Sequence, residues 1–313
     1  MSAIPVTIVT GPLGSGKTTL IAALLGRPEL ADTAVVVNEV GAVPLDHHLV
    51  REVSETVSVL GSGCVCCALR SDLADALKDL FLRRVRGEVP EFRRLVVETT
   101  GLADPAPVLR TLLRDPMVAA QYAPERVVTV IDAPGGAARL AERPETAKQV
   151  ALADRLVLSQ TDLAGDGAIA AVKAGLAELA PGVPVIEAVR GTLDPATLLG
   201  GSDPAPADPG GTDDEHAHPH GIRTHVLSRA AFASAGALQD ALQALLRAHG
   251  ERILRVKGLA AVDDDDRPLA VHGVHHLLHP PAPLPAWPGG APRATRLVFI
   301  VQDLDPAVVE AAL

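Results

Sequence analysis

Gly11-Pro12-Leu13-Gly14-Ser15-Gly16-Lys17-Thr18 reads G-x-x-x-x-G-K-T. An apolar run, Ile4–Val9, precedes it, and a helical pattern from Lys17 to about Leu25 follows, closed by Gly26 and Pro28. Strand, glycine-rich turn and helix in that order are the setting in which this octet cradles phosphate. Gly11, Gly14, Ser15 and Gly16 would turn backbone N–H groups inward toward phosphate oxygens. The helix N-terminus after Gly16 adds partial positive charge. Lys17 would meet the β- and γ-phosphates, Thr18 would offer a hydroxyl to Mg²⁺, and Thr19 stands beside them.

Outward from the octet, apolar β-branched runs alternate with helical patterns over the first 200 residues. Ala34–Val40, Val57–Leu60, Leu95–Val97, Val127–Ile131, Leu156–Leu158 and Val183–Ile186 read as strands. Leu69–Val85 has helical spacing, with Ser71 as a candidate cap. Apolar strands separated by helices predict a doubly wound parallel sheet covered on both faces, an α/β domain over residues 1–200. Gly200–Gly211 is Gly, Pro, Ala, Asp and Ser without periodicity, so residues 201–221 read as a flexible linker carrying acids and histidines. A smaller α/β domain is predicted over 222–313, with a helix at Ala237–Ala248 and strands at Ile253–Val256, Leu269–Val274 and Leu297–Val301. The Asp263–Asp266 run reads as a hairpin tip.

Three further segments belong with the phosphate loop. Glu98 ends the strand Leu95-Val96-Val97, so its carboxylate would face the Mg²⁺ shell or an ordered water. Gly101, three residues on, would let backbone approach the γ-phosphate. Asn38-Glu39-Val40-Gly41 leads to Asp46-His47-His48; Glu39 and Asp46 would hold Mg²⁺ or position the attacking water. Ser159-Gln160-Thr161-Asp162 closes a later strand, and an Asp there accepts both N1–H and the N2 amino group of guanine, which favours GTP. Lys17, Glu98 and Asp46 are the expected catalytic set. No glutamine or arginine finger is evident, so unaided hydrolysis should be slow.

All three cysteines lie in Gly63-Cys64-Val65-Cys66-Cys67. Cys64, Cys66 and Cys67, read as a loop, can grip one soft ion, Zn²⁺ or Co²⁺ among them. Three ligands leave a coordination place open, which suits metal transfer by ligand exchange. A redox switch is the other reading of the same thiols. Histidines cluster at 216–225 and at 272–279; the first group would capture metal loosely or simply be solvated, and the second reads as ordinary surface.

Composition narrows the class. Apolar residues make up 48% and aromatics 2%, so the core must be aliphatic. Net charge is −10 and no basic stripe appears, which argues against nucleic acid. No apolar run approaches the ~18 residues a bilayer span needs. Met1-Ser2-Ala3-Ile4-Pro5-Val6 lacks the basic segment of a signal peptide. Free clustered thiols fit a reducing compartment. A cytoplasmic protein without membrane or nucleic-acid partners is expected.

Taken together, the octet at 11–18, Asn38-Glu39-Val40-Gly41, the Cys-x-Cys-Cys run, Glu98-Thr99-Thr100-Gly101-Leu102-Ala103-Asp104-Pro105, Leu254-Arg255-Val256-Lys257-Gly258 and Arg296-Leu297-Val298-Phe299-Ile300 resemble the CobW-type P-loop GTPases, a metallochaperone family. The resemblance covers nearly the whole chain. It implies a GTPase domain with a smaller C-terminal domain. It also implies that GTP and metal bind together, and that hydrolysis releases metal to a client metalloprotein or insertion machinery; a homodimer is compatible. Two departures stand out. The guanine motif usually reads Asn-Lys-x-Asp, so Gln160 removes the lysine stem that packs along the base and should weaken or relax GTP selectivity. Val37 and Ala42 stand where some members carry acids, which leaves the thiols as main metal candidates. A metal-buffering or sensing module with nucleotide as a structural ligand, and a phosphotransferase with a redox-sensitive cysteine loop, are the competing readings.

Overall fold

The computed structural model describes residues 3–38, 50–54, 57–60, 65–68, 73–199, 219–288 and 292–313, those between 50 and 68 by backbone. Glu39, Asp46, Cys64 and the linker histidines before Pro219 lie outside the described residues. Two compact units emerge, residues 1–173 with 184–202 and residues 174–183 with 203–313.

The first unit runs β1 (Ile4–Thr10), α1 (Lys17–Leu25), β2 (Thr33–Asn38), β3 (Val50–Ser54), β4 (Val57–Leu60), β5 (Val65–Ala68), α2 (Leu73–Val85), β6 (Arg94–Thr99), α3 (Ala106–Arg114), α4 (Pro116–Ala119), β7 (Tyr122–Asp132), α5 (Gly136–Glu142), α6 (Pro144–Ala151), β8 (Arg155–Ser159), α7 (Asp166–Leu179), β9 (Val185–Ala188) and α8 (Pro195–Leu199). The last turns of α7 group with the second unit. Its nine strands form one sheet in the order β3-β4-β5-β2-β6-β1-β7-β8-β9. Pairing is parallel from β5 to β9 and antiparallel through β3 and β4.

The aliphatic composition decides the packing. Val6, Ile8, Val9, Val35, Val97, Val128, Val130 and Val157 are buried in the middle strands, as a parallel sheet covered on both faces requires. Leu20, Ile21, Leu24 and Leu25 of α1 pack against Val9, Val35, Val96 and Val128. That packing fixes α1, and with it the phosphate loop, at the C-terminal edge of β1. Edge strand β3 carries Arg51 and Glu52, charges of the kind that blunt edge-to-edge association.

Several boundaries depart from the sequence expectation. β7 begins at Tyr122 rather than Val127, because Tyr122, Ala123, Pro124 and Arg126 pair with β1, the register skipping Glu125 at a bulge. The strand expected at Val183–Ile186 is Val185–Ala188: the N–H of Val183 closes a turn onto Ala180 O, and Pro184 has no N–H to give. The helix expected over Leu69–Val85 is described from Leu73 onward. The cysteine run departs most. Cys66 and Cys67 lie on a strand, not a loop: Val35 pairs with Cys66 and Val36 with Cys67 on one side, Ser58 and Val57 on the other.

Asp115 links the end of α3 to α4. Its carboxylate accepts from the N–H groups of Met117 and Val118 and pairs with Lys78 at 2.7 Å. The Lys78 hydrogen bond, then the Val118 N–H, hold its pKa below the ordinary carboxylate value. A depressed pKa contributes stability above about pH 4 that is lost as pH falls through the lowered value. Urea titrations should therefore find Asp115→Asn less stable than the parent at pH 7, with the gap closing toward pH 3.

The second unit contains β10 (Ile222–Arg229), α9 (Ala235–His249), β11 (Ile253–Val262), β12 (Asp265–Val274), β13 (Leu277–Leu278), β14 (Ala282–Pro283), β15 (Thr295–Gln302) and α10 (Pro306–Ala312). Its strands pair antiparallel in the order β10-β15-β11-β12-β13, with β14 on β12. Ser234 caps α9, accepting from Ala237 N–H, and Leu238, Leu242, Leu245 and Leu246 bury one face of that helix. The acidic run is a hairpin tip between β11 and β12. Asp265 sits in a bidentate pair with Arg267, which holds its pKa at about 2, and Asp266 pairs with Arg293. His275 and His276 do more than line a surface. Their Nδ1 atoms bond Gly250 O and Leu246 O, closing the C-terminal end of α9.

Candidate functional site

The phosphate loop takes the shape its glycines permit. Gly11, Gly14 and Gly16 have φ of 137°, 79° and 87°. A Cβ on Gly11 would drive into the Val130 carbonyl, so only glycine fits where β1 leaves the sheet. Lys17 opens α1 and is buried, its Nζ donating to Gly11 O at 2.8 Å and Pro12 O at 3.0 Å. Its ammonium thus curls over the loop where phosphate oxygens would compete for the same protons. The buried Ser15 Oγ finds no hydrogen-bond partner among the described residues.

Thr18 and Glu98 come together as expected. Thr18 Oγ1 donates to Glu98 Oε1 at 2.7 Å, and Glu98 is 2% exposed at the end of β6. A hydroxyl and a carboxylate are hard oxygen donors of the kind Mg²⁺ accepts, so the pair fits that ion. Beside them Thr99 Oγ1 donates to Thr10 Oγ1 at 2.8 Å, tying the ends of β6 and β1.

Gly101, expected to let backbone approach the γ-phosphate, lies against Leu13 of the phosphate loop. A Cβ there would lie 2.7 Å from Leu13 Cα. No side chain fits without moving the phosphate loop. Gly101→Ala should therefore weaken binding of a fluorescent GDP at least tenfold, with a lowered thermal midpoint; unchanged affinity would show that the contact gives way freely.

The segment closing β8 also touches the loop. Ser159 Oγ donates to Ser15 O at 2.6 Å, and Gln160, at φ 55°, donates from Nε2 to Gly14 O at 3.0 Å. Gln160 thus acts as a tie to the phosphate loop. Asp162 stands two residues beyond, its Oδ2 3.7 Å from Arg190 Nε. Thr19 lies beside the turn at Gly191, where a Cβ would come 2.9 Å from its carbonyl oxygen.

Among the described residues no group of three or more His, Cys, Asp and Glu side chains is placed to hold a metal. Glu39, Asp46 and Cys64 fall outside that description, and of Cys66 and Cys67 the backbone alone is given. One contact escaped sequence reasoning. Gln149 of α6 is fully buried and donates from Nε2 to Ala103 O at 3.0 Å and, more weakly, to Gly101 O at 3.4 Å. The signal was a glutamine three residues after Thr146 on the buried stripe of α6.

Known proteins match the same features. Residues 5–187 match the family described as CobW/HypB/UreG, nucleotide-binding domain, and residues 222–313 match the cobalamin synthesis protein cobW C-terminal domain. The zinc chaperone YjiA of Escherichia coli is 29% identical over 100% of this chain and 98% of its own length. The zinc chaperone CobW of Pseudomonas aeruginosa is 31% identical over 99% of this chain and 90% of its own. The crystal structure of Zn(II)-bound YjiA GTPase from E. coli superposes with a TM-score of 0.78 at 28% identity, covering 100% of this chain and 98% of that one. The phosphate loop, the Glu98–Thr18 pair and both matched domains agree: the chain belongs to the CobW/HypB/UreG family.

Proposed function

We propose that this protein is a GTP-hydrolysing metal chaperone that takes a transition metal, Zn²⁺ or Co²⁺, at Cys64, Cys66 and Cys67 and delivers it to a client metalloprotein or insertion machinery. The observation that carries the nucleotide half is the convergence of Lys17, Thr18 and Glu98 at one end of β1 and β6. Lys17 would exchange its two carbonyl partners for β- and γ-phosphate oxygens. Thr18 and Glu98 would hold Mg²⁺, which when bound supplies Lewis-acid stabilisation of developing phosphate charge. Asp162 would accept from guanine, and Glu39 and Asp46 would complete the shell around the γ-phosphate.

Support for the metal half comes from chain connectivity. β2 pairs residue for residue with β5, which bears Cys66 and Cys67, and β2 runs directly into the segment holding Glu39 and Asp46. The ladder between β2 and β5 supports a route by which hydrolysis would change metal affinity at the cysteines; linkage requires metal to change GTP affinity by the same factor. The relatives named zinc chaperones make Zn²⁺ the first choice of cargo. A cytoplasmic setting and a homodimer fit this reading.

The test is GTP hydrolysis by metal-free protein with Mg²⁺, alone and with stoichiometric Zn²⁺ or Co²⁺, beside Cys66→Ala and an ATP control. Turnover that responds to one metal, prefers GTP and loses that response in Cys66→Ala is expected. Turnover that ignores metal or prefers ATP would move the buffering or phosphotransferase readings ahead.

A further inference from the structure

The turn after Glu98 is held from behind by a side chain that does not face the nucleotide. Ala103 N–H bonds Thr100 O at 3.1 Å, closing a turn over residues 100–103. Two carbonyls of that turn, Gly101 O and Ala103 O, point at Gln149 Nε2. Only the amide nitrogen can meet two carbonyl oxygens, so the orientation of the amide follows from its partners. The backbone of Gln149 is pinned in turn: its carbonyl accepts from Thr129 Oγ1 at 2.7 Å. Thr129 pairs with Thr10 across β7 and β1, and Thr10 accepts from Thr99. A closed circuit thus runs from the phosphate loop through β7 and α6 to the Gly101 turn and back along β6.

Gln149 occupies this place at a cost. Its Oε1 is buried and finds no hydrogen-bond partner among the described residues. A buried, unsatisfied acceptor disfavours the fold, whereas an apolar side chain of the same length would not. Leucine or methionine would remove that cost but would leave Gly101 O and Ala103 O without the donor they share. The donor end, which meets two carbonyls of one turn, is what the amide contributes here.

We propose that Gln149 is a positioning residue for the γ-phosphate end of the site, acting through the Gly101 turn. By turning the Gly101 and Ala103 carbonyls into the protein, it keeps their partial negative charge away from the phosphates. It also orders the turn before nucleotide arrives, so that ordering need not be met from binding energy. The proposal rests on the nucleotide reading above and extends it to a residue outside the nucleotide motifs. GDP lacks the γ-phosphate that the turn is proposed to meet, so ligands carrying a γ-phosphate should sense Gln149 most.

Dissociation constants for GDP and for a non-hydrolysable GTP analogue, both with Mg²⁺, test this in the parent, Gln149→Leu and Gln149→Met, alongside thermal unfolding. The expected result is analogue affinity weakened about tenfold and GDP affinity held within about twofold, consistent with losing one good and one weak hydrogen bond. The thermal midpoint should move little, since relief of the unpaired Oε1 opposes loss of the two hydrogen bonds, and GTP turnover should fall with analogue affinity. An unchanged ratio of the two constants overturns the inference and leaves the nucleotide reading standing. Parallel loss of both affinities with a lowered midpoint in both variants assigns Gln149 a structural role and also overturns it. A parent that binds neither nucleotide removes the nucleotide reading and the inference together.

Discussion

Lys17→Ala is expected to lower kcat/KM for GTP by about 10²–10³-fold while the thermal midpoint holds or rises. The two effects have opposite origins. In turnover, the ammonium is the charge placed to meet the β–γ bridge as negative charge develops there, and its burial keeps water from screening it. In folding, the same cation sits on the first residue of α1, where the helix already presents partial positive charge. Removing it relieves that repulsion, and alanine is the better helix former. Gly11 and Pro12 are buried, so their carbonyls lose a donor when Nζ is removed, a cost that offsets part of this gain. Phosphate-release kinetics beside a thermal melt give both readings on one sample. A variant that melts early and loses activity in proportion would mean that Lys17 holds the loop rather than the substrate.

Phe299→Ala should destabilise residues 222–313 by about 3–5 kcal/mol. Phe299 is fully buried at the middle of β15, which lies between β10 and β11, opposite His225 on one side and Val256 on the other. Its ring packs in one cluster with Leu238, Leu242, Leu246 and Val271. The neighbours are themselves held in the cluster between α9 and the sheet, so the cavity should close only in part. Against a typical domain stability of about 5–15 kcal/mol the loss is a large share. Urea unfolding followed by hydrogen exchange at β15 amides should show the midpoint move down, with Phe299→Leu losing much less. A loss under about 1 kcal/mol would mean that the cluster closes around the missing ring.

How much of this was legible in the sequence differs by element. The phosphate loop and α1 were read to their ends, Lys17 and Leu25, because glycine spacing and an apolar stripe act locally. Glu98 near a strand end followed from the same kind of local pattern, whereas the packing of Gly101 on Leu13 came from the fold. The tip at Asp263–Asp266 was visible as charge. What escaped was set by distant partners. Tyr122–Arg126 joins the sheet because β1 lies alongside, not because its residues favour a strand. The last strand of the chain, β15, inserts between β10 and β11, an order no local pattern encodes. Gln149 was an unremarked glutamine until the fold brought α6 against the Gly101 turn. The cysteine run looked like a loop because glycines flank it and thiols carry little strand preference, whereas pairing with β2 and β4 decides its conformation.

That placement of Cys66 and Cys67 limits how the site can change over generations. Loops absorb added or deleted residues; a paired strand does not, since a slip of one residue exchanges its two faces. Length variation within 65–68 would scramble the register on both sides at once. Change within this strand must therefore arrive through substitution at fixed length, and its register against β2 and β4 should drift slowly.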